Sequence, residues 1–395
     1  MGNKIGIVTF WISNSNYGQI LQNAALQYYL RSLGYTPVTL SFNIHSPNIR
    51  RTFLQKIERI LCDEISIVGH LKRRLRKYFP GENPAGLCYS DEEYLANRHF
   101  NDFKEKYICY SPLLVTKEDL VELNKDYSAF ITGSDQVWTS AENDELRQYA
   151  VLLSFVKENI PRISYAASFG RNNIINNIER NCFKSELLKF SSVSCREESG
   201  LFLCGKLGYN DAKLVLDPTL LLTENDWVKY LNLPAKLESK SKKVFIYSLQ
   251  NCDKRIYEIY HYLELQGFDI QFVCSASFKE PLAKCEATIE EWLQNIRESD
   301  MVITDSFHGT IFALNFHTPV ISLAKPDIPI DKSGNARMYS FLNNVGLLAF
   351  LVQKITIDSF NILLKTDIDW LKVDNYIVGM RNHSFSFLHN ALSQL

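Results

Sequence analysis

The chain has 395 residues, of which 46% are hydrophobic and 22% charged, and its net charge is −1. This length exceeds what one hydrophobic core organises, so we expect two domains. The balanced charge excludes a global nucleic-acid-binding surface, and no apolar run approaches the length of a membrane span. The nine cysteines are odd in number and include no C-x-x-C pair. They predict reduced thiols in a cytoplasmic protein rather than a disulfide framework or a zinc site.

The chain opens with the pattern of a β-α-β unit. Lys4–Trp11 is β-branched and apolar and predicts a buried parallel strand, too short an apolar segment for a signal peptide. A polar turn leads into an amphipathic helix that ends near Gly34, and Pro37–Phe42 predicts the second strand. The turn ends in Asn16-Tyr17-Gly18, whose amides and phenol suit a hydroxyl-rich ligand, although asparagine and glycine are also ordinary turn residues.

A basic segment follows. Between Arg50 and Pro80 the sequence has nine Lys or Arg against three Asp or Glu, with apolar residues at helical spacing. We predict a basic helical insertion at about residues 50–110, with a further helix from Asp91 to Lys106. A basic amphipathic helix can lie on an anionic membrane surface. The alternative is a solvated helix at the edge of the domain.

Three further strands of the first half each end in polar residues. Tyr127–Thr132 is followed by GSDQVW, which contains Ser134, Asp135 and Gln136. Asp135 is a candidate base or hydroxyl clamp; its alternative role is a helix N-cap. Ile163–Ala167 is followed by Ser168, and a helix is predicted over Ile174–Phe190.

The third of these strands, Val193–Cys195, is followed by Arg196. An arginine at a strand end can hold phosphate or carboxylate through two hydrogen bonds. The alternative is a salt bridge to Glu197 or Glu198. Leu214–Leu222, LVLDPTLLL, closes the first domain.

The second half repeats the α/β pattern. Strands are predicted at Lys243–Leu249, Asp269–Cys274, Met301–Ile303 and Pro319–Leu323, with helices at Lys254–Leu265 and Thr288–Arg297. The stretch Met301–Leu314, MVITDSFHGTIFAL, predicts a strand, a turn holding Asp305 to His308, and a helix beginning at Gly309-Thr310. Such a turn is where α/β proteins bind ligands, and the helix start suits an anion. His308 can move protons near neutral pH; the alternative is that Ser306 caps the helix and His308 packs.

The remainder predicts two more helices. Asn335-Ala336-Arg337 begins one that ends near Asn344, and Arg337 is either a second anion contact or a surface arginine. From Trp370 onward an amphipathic helix is expected to cover apolar surface. We predict an N-terminal domain over residues 1–222, a C-terminal domain over 223–370 and a helical segment over 371–395.

Seven sequence blocks resemble those of the polysaccharide pyruvyl transferase family and occur in the same order along the chain. They are NYG, GSDQVW, SYAASFG, SCREESG, LDPTLLL, DSFHG and NAR. The resemblance implies an α/β fold of two Rossmann-like domains facing across a cleft, glycosyltransferase-B-like, with the C-terminal helix packing across. It also implies transfer of pyruvate from phosphoenolpyruvate to a sugar of a surface polysaccharide, such as a capsule or exopolysaccharide, or of its lipid-linked precursor. A cyclic ketal would form and phosphate would be released, with no metal or organic cofactor.

Within this chemistry, His308 is the candidate acid or base and Asp135 the group that orients or deprotonates an acceptor hydroxyl. The predicted donor contacts are Arg196, Ser306, Gly309, Thr310 and Arg337. The predicted acceptor contacts are Asn16, Tyr17, Gly18, Ser134, Gln136 and Ser168.

One position departs from the family pattern. Many members have arginine two residues before the histidine, where this chain has Ser306. The donor's charge must then be met elsewhere, by the helix start at Gly309-Thr310 or by Arg337.

Two other functions use the same frame. One is a glycosyltransferase with a nucleotide-sugar donor; the other is a glycan-binding protein without catalysis. The sequence leaves open the acceptor sugar, the hydroxyl pair, the ketal stereochemistry and the oligomeric state.

Overall fold

The computed structural model describes residues 3–13, 15–42, 96–139, 145–174, 176–236, 242–249, 253–275, 282, 285–393 and 395. The basic segment at residues 50–79, with its predicted membrane-binding helix, lies outside the described residues, as do residues 91–95 of the predicted helix Asp91–Lys106.

Two parallel sheets organise the described chain. The first has six strands in the order β2-β1-β3-β4-β5-β6. They are β1 (Lys4–Val8), β2 (Thr36–Thr39), β3 (Ala129–Thr132), β4 (Arg162–Ala167), β5 (Ser192–Cys195) and β6 (Lys213–Leu214). The second has five strands in the order β11-β10-β9-β7-β8. They are β7 (Lys243–Ser248), β8 (Asp269–Cys274), β9 (Met301–Thr304), β10 (Val320–Leu323) and β11 (Leu351–Val352).

Helices connect the strands and cover the sheets. Those of the first half are α1 (Tyr17–Ser32), α2 (Phe100–Tyr107), α3 (Lys117–Glu122), α4 (Glu145–Val151), α5 (Asn177–Leu187) and α6 (Glu198–Lys206). Those of the second half are α7 (Glu224–Leu231), α8 (Lys254–Leu265), α9 (Ile289–Glu298), α10 (Phe307–Asn315), α11 (Ala336–Asn344), α12 (Ile357–Leu364) and α13 (Trp370–Leu392). Parallel strands joined by helices make two Rossmann-like domains, so the predicted glycosyltransferase-B-like fold is confirmed.

Side-chain caps set several helix boundaries. Asn16 caps α1 by accepting from the Gln19 N–H at 3.3 Å. Asn176 accepts from the first N–H groups of α5, so this helix is shorter at its start than the predicted Ile174–Phe190. Thr288 and Glu291 form a capping box at the start of α9.

One of the two buried apolar clusters of the described residues spans both domains. A continuous cluster of buried side chains includes Ile5 and Leu21 of the first domain and Val302 and Ile311 of the second. Every residue of α10 is buried, which explains its apolar sequence.

The C-terminal helix α13 packs across both domains. Its Ser384 hydroxyl accepts from the Leu216 N–H at 2.9 Å, and the Phe385 ring stacks on Tyr29 with centroids 4.7 Å apart. Arg381 donates to the Leu220 carbonyl at 2.7 Å and to Asn315 of the second domain at 3.1 Å. Of the helices that the structure describes, none combines the length and apolar character that a membrane span requires.

Candidate active site

Polar side chains converge where strands of the first sheet end. Ser134 and Asp135 follow β3, Ser168 follows β4, and Arg196 and Glu197 follow β5. Asp217 lies just beyond β6. Because the carboxyl ends of parallel strands share one edge of a sheet, these groups meet. We call Asp135, Arg196, Glu197, Asp217, His308 and Arg337 the junction cluster.

Arg196 is the centre of the junction cluster. It donates to Asp217 Oδ2 at 2.7 Å and to Asp135 Oδ1 at 2.6 Å, while its Nε lies 3.7 Å from Glu197 Oε2. Its side chain is only 1% exposed. Burial opposes its charge, but the three carboxyl groups outweigh burial and hold the pKa of Arg196 above its ordinary value. The alternative of a salt bridge to Glu197 is therefore found, but the Nη hydrogen bonds of Arg196 go to Asp135 and Asp217. The contact of Arg196 with the donor stays a prediction.

Asp135 has a left-handed backbone, with φ of 67°. Its Oδ2 accepts from the Gln19 amide at 3.0 Å. Burial raises the pKa of Asp135, but Arg196, Arg337 and His308 outweigh burial and lower it below its ordinary value. Asp135 is therefore a carboxylate at neutral pH that can accept a hydrogen bond from a hydroxyl. Because its pKa is lowered it is a weak base, so it suits orienting a hydroxyl better than deprotonating one. The alternative of a helix N-cap is not supported, since the next described helix begins at Glu145.

The second domain brings His308 to the junction cluster. Ser306 caps α10 by accepting from the Gly309 N–H at 3.2 Å. His308 therefore lies in the first turn of the helix, whereas the sequence predicts it in the turn before the helix. The His308 Nε2 lies 3.5 Å from Asp217 Oδ2. Burial raises the pKa of Asp217, but His308 and Arg196 outweigh it and hold that pKa far below its ordinary value.

The other groups at the start of α10 are engaged in structure. Thr310 donates its hydroxyl to the Ser306 carbonyl at 3.0 Å and lies 2.8 Å from the Ser322 hydroxyl. A side chain on Gly309 would press on Thr304. Ser306, Gly309 and Thr310 are buried, and their contact with a donor stays a prediction.

Arg337, at the start of α11, is the most exposed charged side chain of the junction cluster at 18%. Its Nη1 lies 3.6 Å from Asp135 Oδ1, and its Nη2 lies 2.5 Å from the Gln136 amide oxygen in the orientation that satisfies both amide atoms. Burial and the neighbouring Arg196 lower the pKa of Arg337 to about 10, against the opposing effect of Asp135. The alternative of a surface arginine is not supported, because the guanidinium points into the junction.

One aromatic ring lies against both guanidinium groups. The Cζ atoms of Arg196 and Arg337 lie 5.0 Å and 5.6 Å from the Phe307 ring centroid. These distances are those of cation–π contacts. Two cationic groups are thus held beside the same ring at the junction of the domains.

The predicted acceptor contacts separate into two groups. Asn16 lies at the start of α1, where its side chain forms the cap. Tyr17 is fully buried against Trp292 and donates its hydroxyl to the Ala287 carbonyl at 2.6 Å. The sugar contact predicted for Tyr17 is therefore not supported, because its ring belongs to the core between the domains.

The remaining predicted acceptor residues lie at or beside the junction cluster. Ser134 donates to Asp217 Oδ2 at 3.1 Å, and Ser168 donates to Glu197 Oε1 at 2.5 Å. Gly18 packs directly against the His308 ring. Ser134 and Ser168 are completely buried, so they orient the carboxyl groups of the junction cluster.

Sequence reasoning did not select four residues that the structure brings into the site: Gln19, Glu197, Asp217 and Phe307. Glu197 and Asp217 stand in the blocks SCREESG and LDPTLLL, each just after a strand. Placing every polar group that follows a strand at one sheet edge would have found both. Phe307 stands in the block DSFHG, but an apolar side chain gives no sign of a charged site. Gln19 gives no signal, because glutamine is common in helices.

The arrangement suits proton transfer beside a bound anion. His308 supplies an imidazole that can donate or accept a proton, and the two guanidiniums supply positive charge in a water-poor site. In the parts of the chain that the structure describes, no three histidine, cysteine or acidic side chains gather in a way that would hold a metal ion.

Comparison with known proteins gives a family and a fold. A family model described as polysaccharide pyruvyl transferase matches residues 16–325. No curated protein matches the sequence. Among solved structures, UDP-GlcNAc 2-epimerase from Methanocaldococcus jannaschii is similar at 12% identity and a TM-score of 0.51, covering 97% of this chain and 99% of the other. This likeness shows the two-domain fold alone.

Two further structures are similar at lower scores. UDP-N-acetylglucosamine 2-epimerase from Rickettsia bellii has 10% identity and a TM-score of 0.48, with 98% of this chain and 96% of the other covered. A glycosyltransferase from Streptomyces sp. SF2575, complexed with thymidine diphosphate, has 13% identity and a TM-score of 0.38, with 98% and 95% covered.

Proposed function

The chain belongs to the polysaccharide pyruvyl transferase family, and from that premise we propose that it transfers pyruvate from phosphoenolpyruvate to a sugar and forms a pyruvate ketal. The acceptor sugar belongs to a surface polysaccharide or its lipid-linked precursor. The observation that supports this donor is the pair of guanidinium groups, Arg196 and Arg337, beside Phe307. Phosphoenolpyruvate carries both a phosphate and a carboxylate, the anions that arginine binds best.

The proposed chemistry has two additions. His308 protonates the methylene carbon of phosphoenolpyruvate, which makes C2 electrophilic. A first sugar hydroxyl adds to C2 and gives its proton to the now neutral His308. Phosphate then leaves with the electrons of its C–O bond. A second hydroxyl adds to the same carbon and gives its proton to the departing phosphate, which closes the ketal.

The surrounding residues divide the other tasks. Arg337 binds the donor's anionic groups, because it is partly exposed and its nearest carboxylate oxygen is 3.6 Å away. Asp135 orients an acceptor hydroxyl. Arg196, already paired with Asp135 and Asp217, keeps those carboxylates in place and contributes positive charge to the bound donor. The proposed reaction uses no metal or organic cofactor.

The test is mass spectrometry of glycan acceptors, lipid-linked ones included, incubated with phosphoenolpyruvate and the protein. We expect the mass gain of one pyruvyl ketal and the release of phosphate only when the acceptor is present. Unchanged acceptors across polysaccharide repeat units and their lipid-linked precursors would overturn the proposal.

The rival enzyme is a glycosyltransferase with a nucleotide-sugar donor, since the fold is also that of a UDP-GlcNAc 2-epimerase. Such an enzyme should be protected from heat unfolding by a nucleoside diphosphate. A glycan-binding protein without catalysis would turn over neither donor. Protection by phosphoenolpyruvate without protection by UDP or thymidine diphosphate favours pyruvyl transfer.

We further propose that the protein acts in the cytoplasm and attaches reversibly to the inner face of the cell membrane. The support is the basic, amphipathic sequence of residues 50–79, which lies outside the described residues. A lipid-linked acceptor would make this location useful.

A further inference from the structure

Of the three carboxyl groups in the junction cluster, Glu197 has the fewest hydrogen bonds to stabilise its ionised form. It follows Arg196 at the end of β5, and its side chain is 3% exposed. Its Oε1 accepts from Ser168 at 2.5 Å. Its Oε2 has no hydrogen-bond partner among the described residues, nor does the Nε of Arg196, 3.7 Å away.

The other two carboxyl groups are much better paired. Asp135 accepts from Arg196 and Gln19, and Asp217 accepts from Arg196, Ser134 and Thr219. Both have lowered pKa values. The pKa of Glu197 is raised instead, because its burial outweighs Arg196, Ser168 and Arg337, and Asp135 adds to the rise.

The formal charges of the junction cluster matter for an incoming anion. Two guanidiniums face three carboxyl groups, with His308 beside them. With all three carboxyl groups ionised, the site has no surplus positive charge for a donor that brings several negative charges. Electrostatic repulsion in a desolvated site is strong. The least costly relief is a proton on the carboxylate that the protein stabilises least.

We propose that Glu197 takes up a proton from solvent when an anion binds beside Arg337, and that this proton sets the pH range of donor binding. The inference rests on the proposed function, since it concerns the anionic donor of that reaction. The carboxylate becomes a carboxylic acid, no other bond changes, and the negative charge removed offsets part of the charge that the anion brings.

Sulfate is the probe, because its charge is constant from mildly acidic to alkaline pH. Its affinity is measured from the rise in Tm with sulfate concentration at a series of pH values. For the unmodified protein we expect affinity to fall by up to ~10-fold per pH unit above the pKa of Glu197, the slope of one linked proton. Glu197→Gln mimics the protonated acid, so its affinity should match the unmodified protein at low pH and lose this dependence.

Glu198→Gln is the matched control, since Glu198 is the exposed neighbour in the same motif and should leave the pH dependence unchanged. A Glu197→Gln variant that keeps the full pH dependence would overturn the proposal. The proposal would also be overturned if sulfate did not raise the Tm of the unmodified protein at any pH. The assay needs neither acceptor nor turnover, so a lack of ketal product would count against the proposed function alone.

A second measurement uses the unmodified protein alone, so it does not depend on whether a variant folds. Calorimetry of sulfate binding to the unmodified protein, in two buffers with different ionisation heats, counts the protons taken up. A fractional or whole proton that disappears as pH falls below the Glu197 pKa supports the proposal. Zero protons at every pH contradicts it.

Discussion

At the scale of single residues, the position of His308 fits the proposed proton transfer. It lies at the junction of the domains, 3.5 Å from Asp217, in the first turn of α10. We expect His308→Ala to lower turnover by about 10²-fold or more, the usual contribution of a general acid or base. The measurement is phosphate release with phosphoenolpyruvate and an acceptor.

The control for this prediction is at the other end of the same helix. His317 follows α10, and its exposed ring forms a hydrogen bond with Asp374 at 2.8 Å. His317→Ala should leave turnover within a few-fold of the unmodified protein. If His308→Ala does the same while remaining folded, His308 has no chemical role.

The two arginines predict opposite phenotypes. Arg196→Met leaves Asp135 and Asp217 buried without their cation, so the free energy of unfolding should fall by about 3–5 kcal/mol. Arg337→Met should cost far less stability, because burial and Arg196 already disfavour the charge of Arg337. It should instead abolish heat protection by phosphoenolpyruvate.

Denaturant unfolding and the Tm with phosphoenolpyruvate separate these effects. Equal losses of stability in the two arginine variants would contradict the division of roles. So would full protection of Arg337→Met by phosphoenolpyruvate.

At the scale of elements, the contact between α1 and α10 positions His308. Gly18 packs so closely on the His308 ring that an added methyl group would overlap it. Gly18→Ala should therefore move the ring, with an overpacking cost of about 1–3 kcal/mol, and lower kcat by a larger factor than that loss of stability explains. Tm and kcat are measured together on the same preparation.

Gly379 in α13 is the matched glycine, since a side chain there meets no atom within 4 Å. Gly379→Ala should stabilise the helix by roughly 0.5–1 kcal/mol and leave kcat unchanged. A Gly18→Ala variant with unchanged kcat would show that the ring position tolerates displacement.

The sequence predicted the second domain most closely. The predicted bounds of α8 (Lys254–Leu265) and β8 (Asp269–Cys274) are those observed, because the periods of a helix and a strand change sharply between them. β1 was predicted to reach Trp11 but ends at Val8, and α10 begins two residues before its predicted start. Apolar character continues past the last ladder hydrogen bond, and only the cap at Ser306 fixes where α10 starts.

The pairings of the junction cluster were beyond sequence reasoning. The blocks indicated Asp135, Arg196, His308 and Arg337, but not that Arg196 would bind Asp135 and Asp217 together. That pairing depends on the strand order β3-β4-β5-β6, which determines which of the side chains that follow these strands are neighbours at the sheet edge. Burial also cannot be read from the turn sequence. Tyr17 is adjacent to Asn16 and is predicted to contact a sugar, yet its ring lies inside the core.

At the scale of the whole molecule, the location of the protein is the property to test. Each basic residue near an anionic surface contributes about 1 kcal/mol, and salt screens the attraction. We expect the protein to sediment with anionic vesicles at low salt and to lose binding when Arg73, Arg74 and Arg76 are changed to glutamate. An absence of sedimentation at low salt would contradict membrane attachment and leave pyruvyl transfer untouched.

The control replaces exposed lysines of the described surface by glutamate, with the same change in net charge. Suitable positions are Lys184, Lys206 and Lys236. Binding that survives this triple change but not the triple arginine change assigns attachment to the basic segment rather than to overall charge.

The burial of the junction cluster has a consequence for the timing of turnover. Its charged side chains come from both domains and, Arg337 apart, are at most 7% exposed, so we expect the more buried groups to meet reactants only when the domains part. In the proposed reaction each cycle would then include an opening and a closing, and closure would keep water from the electrophilic carbon, where it would waste the donor as free pyruvate. If domain movement rather than bond formation limits product release, turnover should fall as solvent viscosity rises.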